Sequence, residues 1–94
     1  MNALYFDWDN QKNKSNQRKH DVSFEKAQTV FYDENAYEYY DIDHSHGEDR
    51  FLLLGVSARM RLILVSYAYI AAKGLIKIIS ARRATKNEAK EYVR

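Results

Sequence analysis

The sequence predicts an α+β fold in which helices pack on a small antiparallel sheet. Two observations support this class: a run of apolar and aromatic segments in the later part of the chain, and helical patterns before and after it. The connections within that run are about three to six residues long, which permits hairpins and leaves no room for crossover helices. We therefore expect a meander of about four strands, at residues 37–44, 51–57, 62–71 and 75–81.

Three further elements are predicted before the meander. Residues 4–8 are short, aromatic and roughly alternating, which is typical of a strand. Asp9 can cap a helix over about residues 10–20, and this helix is almost wholly polar, so it must pack through few contacts or serve a ligand. Ser23 can cap a second helix, whose helical spacing continues to about residue 31.

A third helix is predicted at the end of the chain. The segment Thr85-Lys86-Asn87-Glu88 fits a capping box, in which the Thr85 and Glu88 side chains each accept a hydrogen bond from the other residue's backbone N–H. We expect this helix to run to about Val93. The predicted order is β-α-α-β-β-β-β-α within one domain, residues 1–94, because 94 residues leave little room for a second.

Composition excludes several classes of protein. The chain has no Cys, which excludes disulfides and thiolate zinc sites and fits a reducing cytosol. The longest apolar stretches, residues 51–58 and 62–72, are too short to cross a bilayer, and residues 1–10 lack the basic start of a signal peptide. With three Gly in total, a glycine-rich phosphate loop is implausible. We expect a cytoplasmic protein that does not contact a membrane.

The net charge of +2 hides a strong asymmetry. Residues 1–49 hold eleven acids and five Lys or Arg, whereas residues 50–94 hold two acids and ten Lys or Arg. Residues 33–49 alone carry seven acids and no Lys or Arg. Basic surface attracts phosphate, although such charge is often only a solvated face.

Two pairs of basic residues are candidate functional groups. Lys19-His20 ends the polar helix, where a histidine is commonly only an electrostatic cap. Arg82-Arg83 follows an apolar strand, so a rigid element can aim the Arg82 guanidinium at a phosphate; a salt bridge to the acidic stretch is the alternative. On strand alternation, Arg82 is predicted to share a face with Ser80 and Ile78.

Two other groups of side chains are candidates for binding a ligand. One group could hold a divalent metal, with His44 and His46 on one face if the strand at 37–44 continues, but its spacing matches no known metal motif. Its members are Asp41, Asp43, His44, His46, Glu48 and Asp49. The tyrosines of the strands could stack on unpaired bases, although Tyr in strands is more often half-buried sheet surface. These tyrosines are Tyr37, Tyr39, Tyr40, Tyr67 and Tyr69.

The chain resembles the BrnT toxins of type II toxin–antitoxin systems over almost its whole length. Two blocks carry most of the resemblance: Lys-His-x-Val-Ser-Phe at residues 19–24 and Ile-Ser-Ala-Arg-x-Ala-Thr at residues 79–85. Further matches before residue 40 are Phe6, Trp8, Asp9, Lys12, Asn16, Ala27, Val30, Phe31 and Asp33. Further matches after it are His44, Ser45, Glu48, Arg50, Gly55, Ser57, Arg61, Leu62, Ile78, Glu88 and Tyr92.

The resemblance implies a fold, an activity and a partner. The fold would be similar to that of RelE-type ribonuclease toxins, and the activity would be RNA cleavage without a metal or other cofactor. The partner would be a ribbon-helix-helix antitoxin, through which the complex binds operator DNA. The chain departs from the family pattern at Asp21, where Gly is usual, and at Lys77, where Arg is common.

Within that resemblance, site roles can be assigned as predictions. His20 is the first choice for general acid or base, and Arg82 for stabilising the charge on the phosphate. Glu48 could be a base or could orient Arg50 or His20. The predicted supporting cations are Lys19 and Arg61, and the predicted RNA contacts are Lys12, Arg50, Arg83 and Tyr67.

Two other functions stay open on the sequence. The chain could be a non-catalytic component of a DNA-binding repressor complex, with its cations contacting the antitoxin or operator phosphates. It could also be a metal-dependent nuclease that uses His44 and His46. An RNA cleavage assay in the presence of EDTA distinguishes the three. Cleavage that survives chelation supports the metal-independent nuclease over both alternatives.

Overall fold

A computed structural model describes residues 4–92 and confirms the α+β class. Its sheet contains five strands and carries three helices. In chain order these elements are β1 (Tyr5–Asp7), α1 (Asn10–His20), α2 (Phe24–Gln28), β2 (Tyr37–Tyr40), β3 (Arg50–Val56), β4 (Leu62–Ile70), β5 (Leu75–Arg83) and α3 (Lys86–Ala89). Short 3-10 turns lie at Thr29–Tyr32, Ile42–His44 and Ala71–Lys73.

The four later strands form the predicted antiparallel meander, and the N-terminal strand completes the sheet. The strand order is β1-β5-β4-β3-β2, with each neighbouring pair from β2 to β5 antiparallel. Strand β1 pairs with β5 in the parallel direction, so the sheet is mixed rather than purely antiparallel. Strand β1 pairs only with residues 75–77 of β5, and helix α1 packs against the later part of β5.

A β-bulge in the pairing of β4 with β5 changes which residues face which side. Ser66 pairs with Ser80 while the next residue, Tyr67, pairs with Ile78, so Ile79 is an extra residue in β5. Ile78 therefore faces the helices, and Ser80 faces the opposite side of the sheet. Ser80 and Arg82 share a face as predicted, but the prediction is wrong for Ile78, because strict alternation cannot cross a bulge.

The main core lies between the helices and one face of the sheet. Phe24 and Val30, from α2 and the turn after it, are fully buried against sheet residues such as Val65 and Ile78. Aromatic rings extend this core, with Trp8 packed edge-on against Phe24. The other face of the sheet, called here the open face, has no helix of comparable size over it within residues 4–92.

The polar helix α1 is attached by two buried asparagines one turn apart. The side-chain amide of Asn16 donates to the carbonyls of Val22 and Ala81, both at 2.8 Å, and its oxygen accepts from the Ala81 N–H at 3.1 Å. The Asn13 oxygen accepts from the Phe24 N–H at 2.9 Å. Asn13 and Asn16 are 7% and 6% exposed, so α1 packs through hydrogen bonds rather than an apolar stripe.

Helix boundaries follow their caps. The Asp9 carboxylate accepts from the N–H groups of Gln11 and Lys12, and the Ser23 hydroxyl accepts from Lys26, as their positions predict. Strand β2 ends at Tyr40, before the predicted residue 44, because the chain turns into a 3-10 segment there. Helix α3 is shorter than predicted and ends at Ala89; its predicted end, Val93, lies outside the described residues.

The capping box of α3 also fixes the end of β5. Thr85 and Glu88 cap one another as predicted, and the same Glu88 carboxylate accepts two hydrogen bonds from Arg82, both at 2.8 Å. The Arg82 hydrogen bonds, followed by those of Thr85, lower the pKa of Glu88 to about 2, even though partial burial opposes this. Glu88 thus joins the last strand to the last helix.

Replacing Asn16 with Ala is expected to destabilise the fold strongly. The change removes three hydrogen bonds and leaves buried backbone groups of Val22 and Ala81 without partners, which costs about 2–4 kcal/mol of unfolding free energy. Urea unfolding followed by circular dichroism measures this. Gln17→Ala, an exposed change in the same helix, is the matched control and should shift stability by less than about 0.5 kcal/mol. Equal effects of the two changes would contradict the anchoring role.

Stability should fall as the pH drops from about 4.5 toward about 2, in part because of Glu88. Its pKa is lower in the folded state than in the unfolded chain, so its contribution is present above the unfolded value and is lost on acidification. Glu88→Gln should flatten the loss in this window, measured as the unfolding midpoint at several pH values. Glu34→Gln, at an exposed loop position, is the control. Because the pKa of Asp33 is also lowered, the Glu88→Gln variant should still lose some stability on acidification.

Candidate active site

A groove of about 480 Å³ crosses the open face of the sheet. We call it the open-face groove. Strands β2 to β5 contribute Tyr39, Arg50, Leu52, Leu64, Ser66, Ile79, Ser80 and Arg82. The turn after β2 and helix α3 contribute Asp41, Asp43, His44 and Glu88. Two arginines, a tyrosine and a histidine thus converge in a groove between the open face of the sheet, the turn after β2 and helix α3.

Arg82 lies at the end of β5 and is held in a fixed orientation. Its two terminal nitrogens each donate to one oxygen of Glu88, a forked arrangement that fixes the plane of the guanidinium. The hydrogen bonds that Arg82 donates to Glu88 raise the pKa of Arg82 further, so it stays cationic. Its Nε makes no hydrogen bond within residues 4–92, which leaves a donor for a ligand in the open-face groove.

Arg50 lies at the start of β3 and is oriented in a similar way. Its Nε donates to Glu48 at 3.2 Å, while its two terminal nitrogens make no hydrogen bond within the described part of the chain. Of the roles predicted for Glu48, the structure shows the contact to Arg50. Each arginine of the open-face groove is therefore aligned by a glutamate and keeps N–H groups that have no partner within residues 4–92.

Tyr39 and His44 are in the open-face groove although neither was a predicted catalytic residue. Burial raises the pKa of Tyr39, and the charge of Glu88 adds to this, so its hydroxyl stays a proton donor. His44 donates from Nδ1 to both oxygens of Asp41, at 3.1 and 3.0 Å. In the sequence, Tyr39 is marked only by its place in a tyrosine-rich strand. The pattern around His44 indicates a metal ligand rather than a catalytic base or acid.

A second, smaller hollow of about 210 Å³ lies beside α1. We call it the basic hollow. It is lined by Lys12, Ser15, Asn16, Lys19, His20, Ile79 and Ser80. Lys12 and Lys19 are seven residues apart, which places them on one face of the helix, and neither forms an ion pair within residues 4–92. The basic hollow shares Ile79 and Ser80 with the open-face groove.

The two predicted principal residues therefore lie in adjoining hollows rather than in one pocket. His20 lines the basic hollow and Arg82 lines the open-face groove. The bulge residue Ile79 and its neighbour Ser80 form the boundary between them. A ligand that reaches both side chains has to pass over this boundary, which a flexible strand of nucleic acid can do.

Arg61 and Arg83 are brought together away from both hollows by Asp21. The Asp21 carboxylate lies 3.6 Å from Arg61 and 3.7 Å from Arg83, and Arg61 also donates to the Asp21 carbonyl. Asp21 ends α1 with a φ of 56°, a left-handed conformation in which Gly is favoured. The structure thus explains both the family preference for Gly and what this Asp does: it binds two of the predicted cations at the end of α1.

The prediction that Tyr67 contacts RNA is corrected by its burial. Tyr67 is only 4% exposed, lies in the main core and stacks on Phe51. Its hydroxyl donates to Glu38. Tyr67 follows the regular alternation of β4 and faces the helices together with Ile63 and Val65, so its ring is enclosed in the core and is not presented to a base.

The residues weighed as metal ligands separate into two sets of contacts. His44 contacts Asp41, whereas His46 Nε2 lies 3.1 Å from the backbone carbonyl of Asp43. Within residues 4–92, no group of three or more His, Cys, Asp or Glu is arranged to hold a metal ion. Likewise, none of the helices over these residues is long and apolar enough to cross a membrane.

Comparisons with known proteins agree on one family. The sequence model of the family described as "Ribonuclease toxin, BrnT, of type II toxin-antitoxin system" matches residues 8–88. The fold is similar to that in the 1.1 Å crystal structure of the Brucella abortus ribonuclease toxin BrnT, with a TM-score of 0.67, 19% identity, and coverage of 89% of this chain and 100% of that one. At this identity the structural match concerns the fold. No curated protein matches the sequence.

The family match spans most of the chain, including α1, the whole meander and the first residues of α3. Both predicted motif blocks, at residues 19–24 and 79–85, fall within it. The chain therefore belongs to the BrnT family, the ribonuclease toxins of type II toxin–antitoxin systems.

Proposed function

We propose that this chain is a metal-independent endoribonuclease whose open-face groove binds the scissile phosphate of single-stranded RNA. The observation that carries the proposal is the orientation of Arg82. Glu88 holds its guanidinium by two hydrogen bonds at the end of a rigid strand, and the Nε–H and one N–H of Nη2 have no hydrogen-bond partner within residues 4–92. Arg50 lines the same groove, and its terminal nitrogens have no hydrogen-bond partner within residues 4–92. Two oriented guanidiniums suit a phosphodiester that gains negative charge during reaction.

The proposed reaction is attack by a ribose 2′-oxygen on the adjacent phosphorus. A base removes the 2′-OH proton, the new P–O2′ bond forms as the P–O5′ bond breaks, and an acid protonates the departing 5′-oxygen. The products are a 2′,3′-cyclic phosphate and a 5′-hydroxyl. Arg82 stabilises the charge that builds on the non-bridging oxygens, and Arg50 binds the same or the next phosphate.

We assign His20 the role of the acid. It is exposed beside Ile79 and Ser80, where the basic hollow meets the open-face groove, so it can approach the 5′ side of a phosphate held by Arg82. Lys12 and Lys19 in the same hollow provide contacts for the downstream phosphates. Arg61 acts indirectly, since it binds the Asp21 carbonyl next to His20 and holds the end of α1.

We further propose that the partner is a ribbon-helix-helix antitoxin in the cytoplasm, and that the pair contacts operator DNA through the antitoxin. Membership of a type II toxin–antitoxin family supports a protein partner. The residue-level support is the free cationic surface of the basic hollow, which a bound antitoxin would have to mask to block RNA. Co-expression with the neighbouring reading frame, followed by co-purification and operator gel shifts with and without this chain, tests the partner.

Cleavage of a mixed-sequence RNA pool is expected to persist in EDTA and to depend on Arg82. Arg82→Ala should lower the rate about 10²–10³-fold, because a preorganised donor to the developing charge is lost. Gel analysis of labelled RNA measures the rate. Lys73→Ala, at an exposed turn outside both hollows, is the control for loss of general positive charge. Loss of cleavage in EDTA would contradict metal independence, and no cleavage at all would favour the non-catalytic repressor role.

The role of His20 can be separated from simple RNA binding. His20→Ala should lower cleavage of ordinary RNA about 10²-fold or more. It should have little effect on RNA in which the departing 5′-oxygen is replaced by sulfur, because a thiolate leaves without being protonated. Single-turnover rates on the two substrates provide the comparison. An equal loss on both would show that His20 is not the acid.

A further inference from the structure

We propose that His44, oriented by Asp41, is the general base that removes the proton from the ribose 2′-OH. This inference rests on the proposed ribonuclease function and adds the group that the reaction still needs. His44 lines the open-face groove together with Arg82, whereas His20 lies in the adjoining basic hollow. A base and an acid on two sides of one phosphate are what in-line attack requires.

The turn that carries His44 is locked to β3, the strand of Arg50. The Asp41 N–H donates to the Arg50 carbonyl at 2.9 Å. The Ser45 hydroxyl donates to the Asp41 carbonyl at 2.7 Å and accepts from the Arg50 N–H at 3.0 Å. These bonds close the 3-10 segment between Asp41 and Ser45, so the position of His44 is fixed relative to the arginine that faces the same groove.

Asp41 selects the form of His44 that can act as a base. A carboxylate can only accept hydrogen bonds, so Nδ1 of His44 must carry the proton that points to Asp41. In the neutral ring the proton-free atom is then Nε2, and within residues 4–92 it has no hydrogen-bond partner. A carboxylate behind a histidine in this way both orients the ring and stabilises the imidazolium that forms when it takes a proton.

The exposure of the two side chains argues against an ordinary surface ion pair. The Asp41 side chain is 13% exposed, while that of His44 is 67% exposed. The carboxylate is thus placed beneath a ring that is open to solvent and ligand. Charged groups that share the open-face groove are Asp43, Arg50, Arg82 and Glu88, and both arginines are paired with glutamates.

The proposed step balances without a metal or other reactant. His44 Nε2 takes the 2′-OH proton as the 2′-oxygen bonds to phosphorus, and the electron pair of the broken P–O5′ bond goes to the 5′-oxygen. That oxygen receives its proton from the separate acid, for which we have proposed His20. His44 then returns its proton to solvent, and the RNA is left with a 2′,3′-cyclic phosphate.

The first test compares two neighbouring histidines in the full chain. His44→Ala should lower single-turnover cleavage of the mixed-sequence RNA pool about 10²–10⁴-fold, with an unchanged circular dichroism spectrum. Added imidazole should restore part of the rate, because the site is open to solvent. His46→Ala, which removes a ring bonded to the Asp43 backbone outside the groove, is the matched control and should cleave at the parent rate. Parent-like cleavage by His44→Ala would overturn the proposal.

A second test distinguishes a general base from a general acid at His44. It also distinguishes a positioning role of Asp41 from a purely structural one. On RNA with sulfur at the leaving position, His44→Ala should stay impaired, since attack still needs the 2′-OH deprotonated. Asp41→Asn should lower kcat roughly tenfold with an unchanged KM. Recovery of His44→Ala on the sulfur substrate would overturn the role as base while leaving the nuclease intact. Absence of cleavage by the unmodified protein would overturn the nuclease itself, and the role of His44 with it.

Discussion

The carboxamide of Asn16 is the contact on which the arrangement of both hollows depends. Strand β1 covers only residues 75–77 of β5, and beyond that point the edge of β5 would expose unpaired backbone groups. Asn16 binds both the N–H and the carbonyl of Ala81, as the backbone of a neighbouring strand would. A side chain thus continues the sheet, and the helix that carries it lies across the strand. This contact places Lys12, Lys19 and His20 beside Ile79 and Ser80.

The bulge at Ile79 is the second constraint, and it acts through the same segment. Without the bulge, strict alternation through Ile79 would make Ala81 and Arg82 exchange faces, which would direct a guanidinium into the apolar core and a methyl group into the groove. With it, Ala81 is buried and 1% exposed, and Arg82 reaches the open face. The contact of Asn16 with Ala81 and the direction of the Arg82 side chain are therefore set by two successive residues of β5. A change in one hollow would for this reason alter the other.

Sequence reasoning succeeded where the signal is local. The bounds of α1, the caps at Asp9 and Ser23, the capping box at Thr85 and the order of the meander all follow from neighbouring residues. The sequence-based predictions were wrong where contacts between distant parts of the chain decide which way a side chain faces. The bulge depends on how β4 pairs with β5, and it places Ile78 on the face opposite to Ser80 and Arg82. The burial of Asn13 and Asn16 likewise comes from partners far along the chain, so the sequence showed only that α1 lacks an apolar face.

The pairing of each groove arginine with a glutamate has a consequence for how the groove discriminates. Arg82 and Arg50 are oriented by their glutamates, so at the proposed phosphate site little side-chain entropy would be lost when a phosphate binds. Their charges are partly offset by Glu88 and Glu48, which weakens attraction for an ordinary singly charged phosphodiester. The attacked phosphorus carries additional negative charge on its oxygens, and for that species the same fixed donors gain more. Partial neutralisation weakens the Coulombic attraction for both species, so in this proposal the preference for the transition state comes from the fixed orientation of the donors, which need no rearrangement as the charge develops.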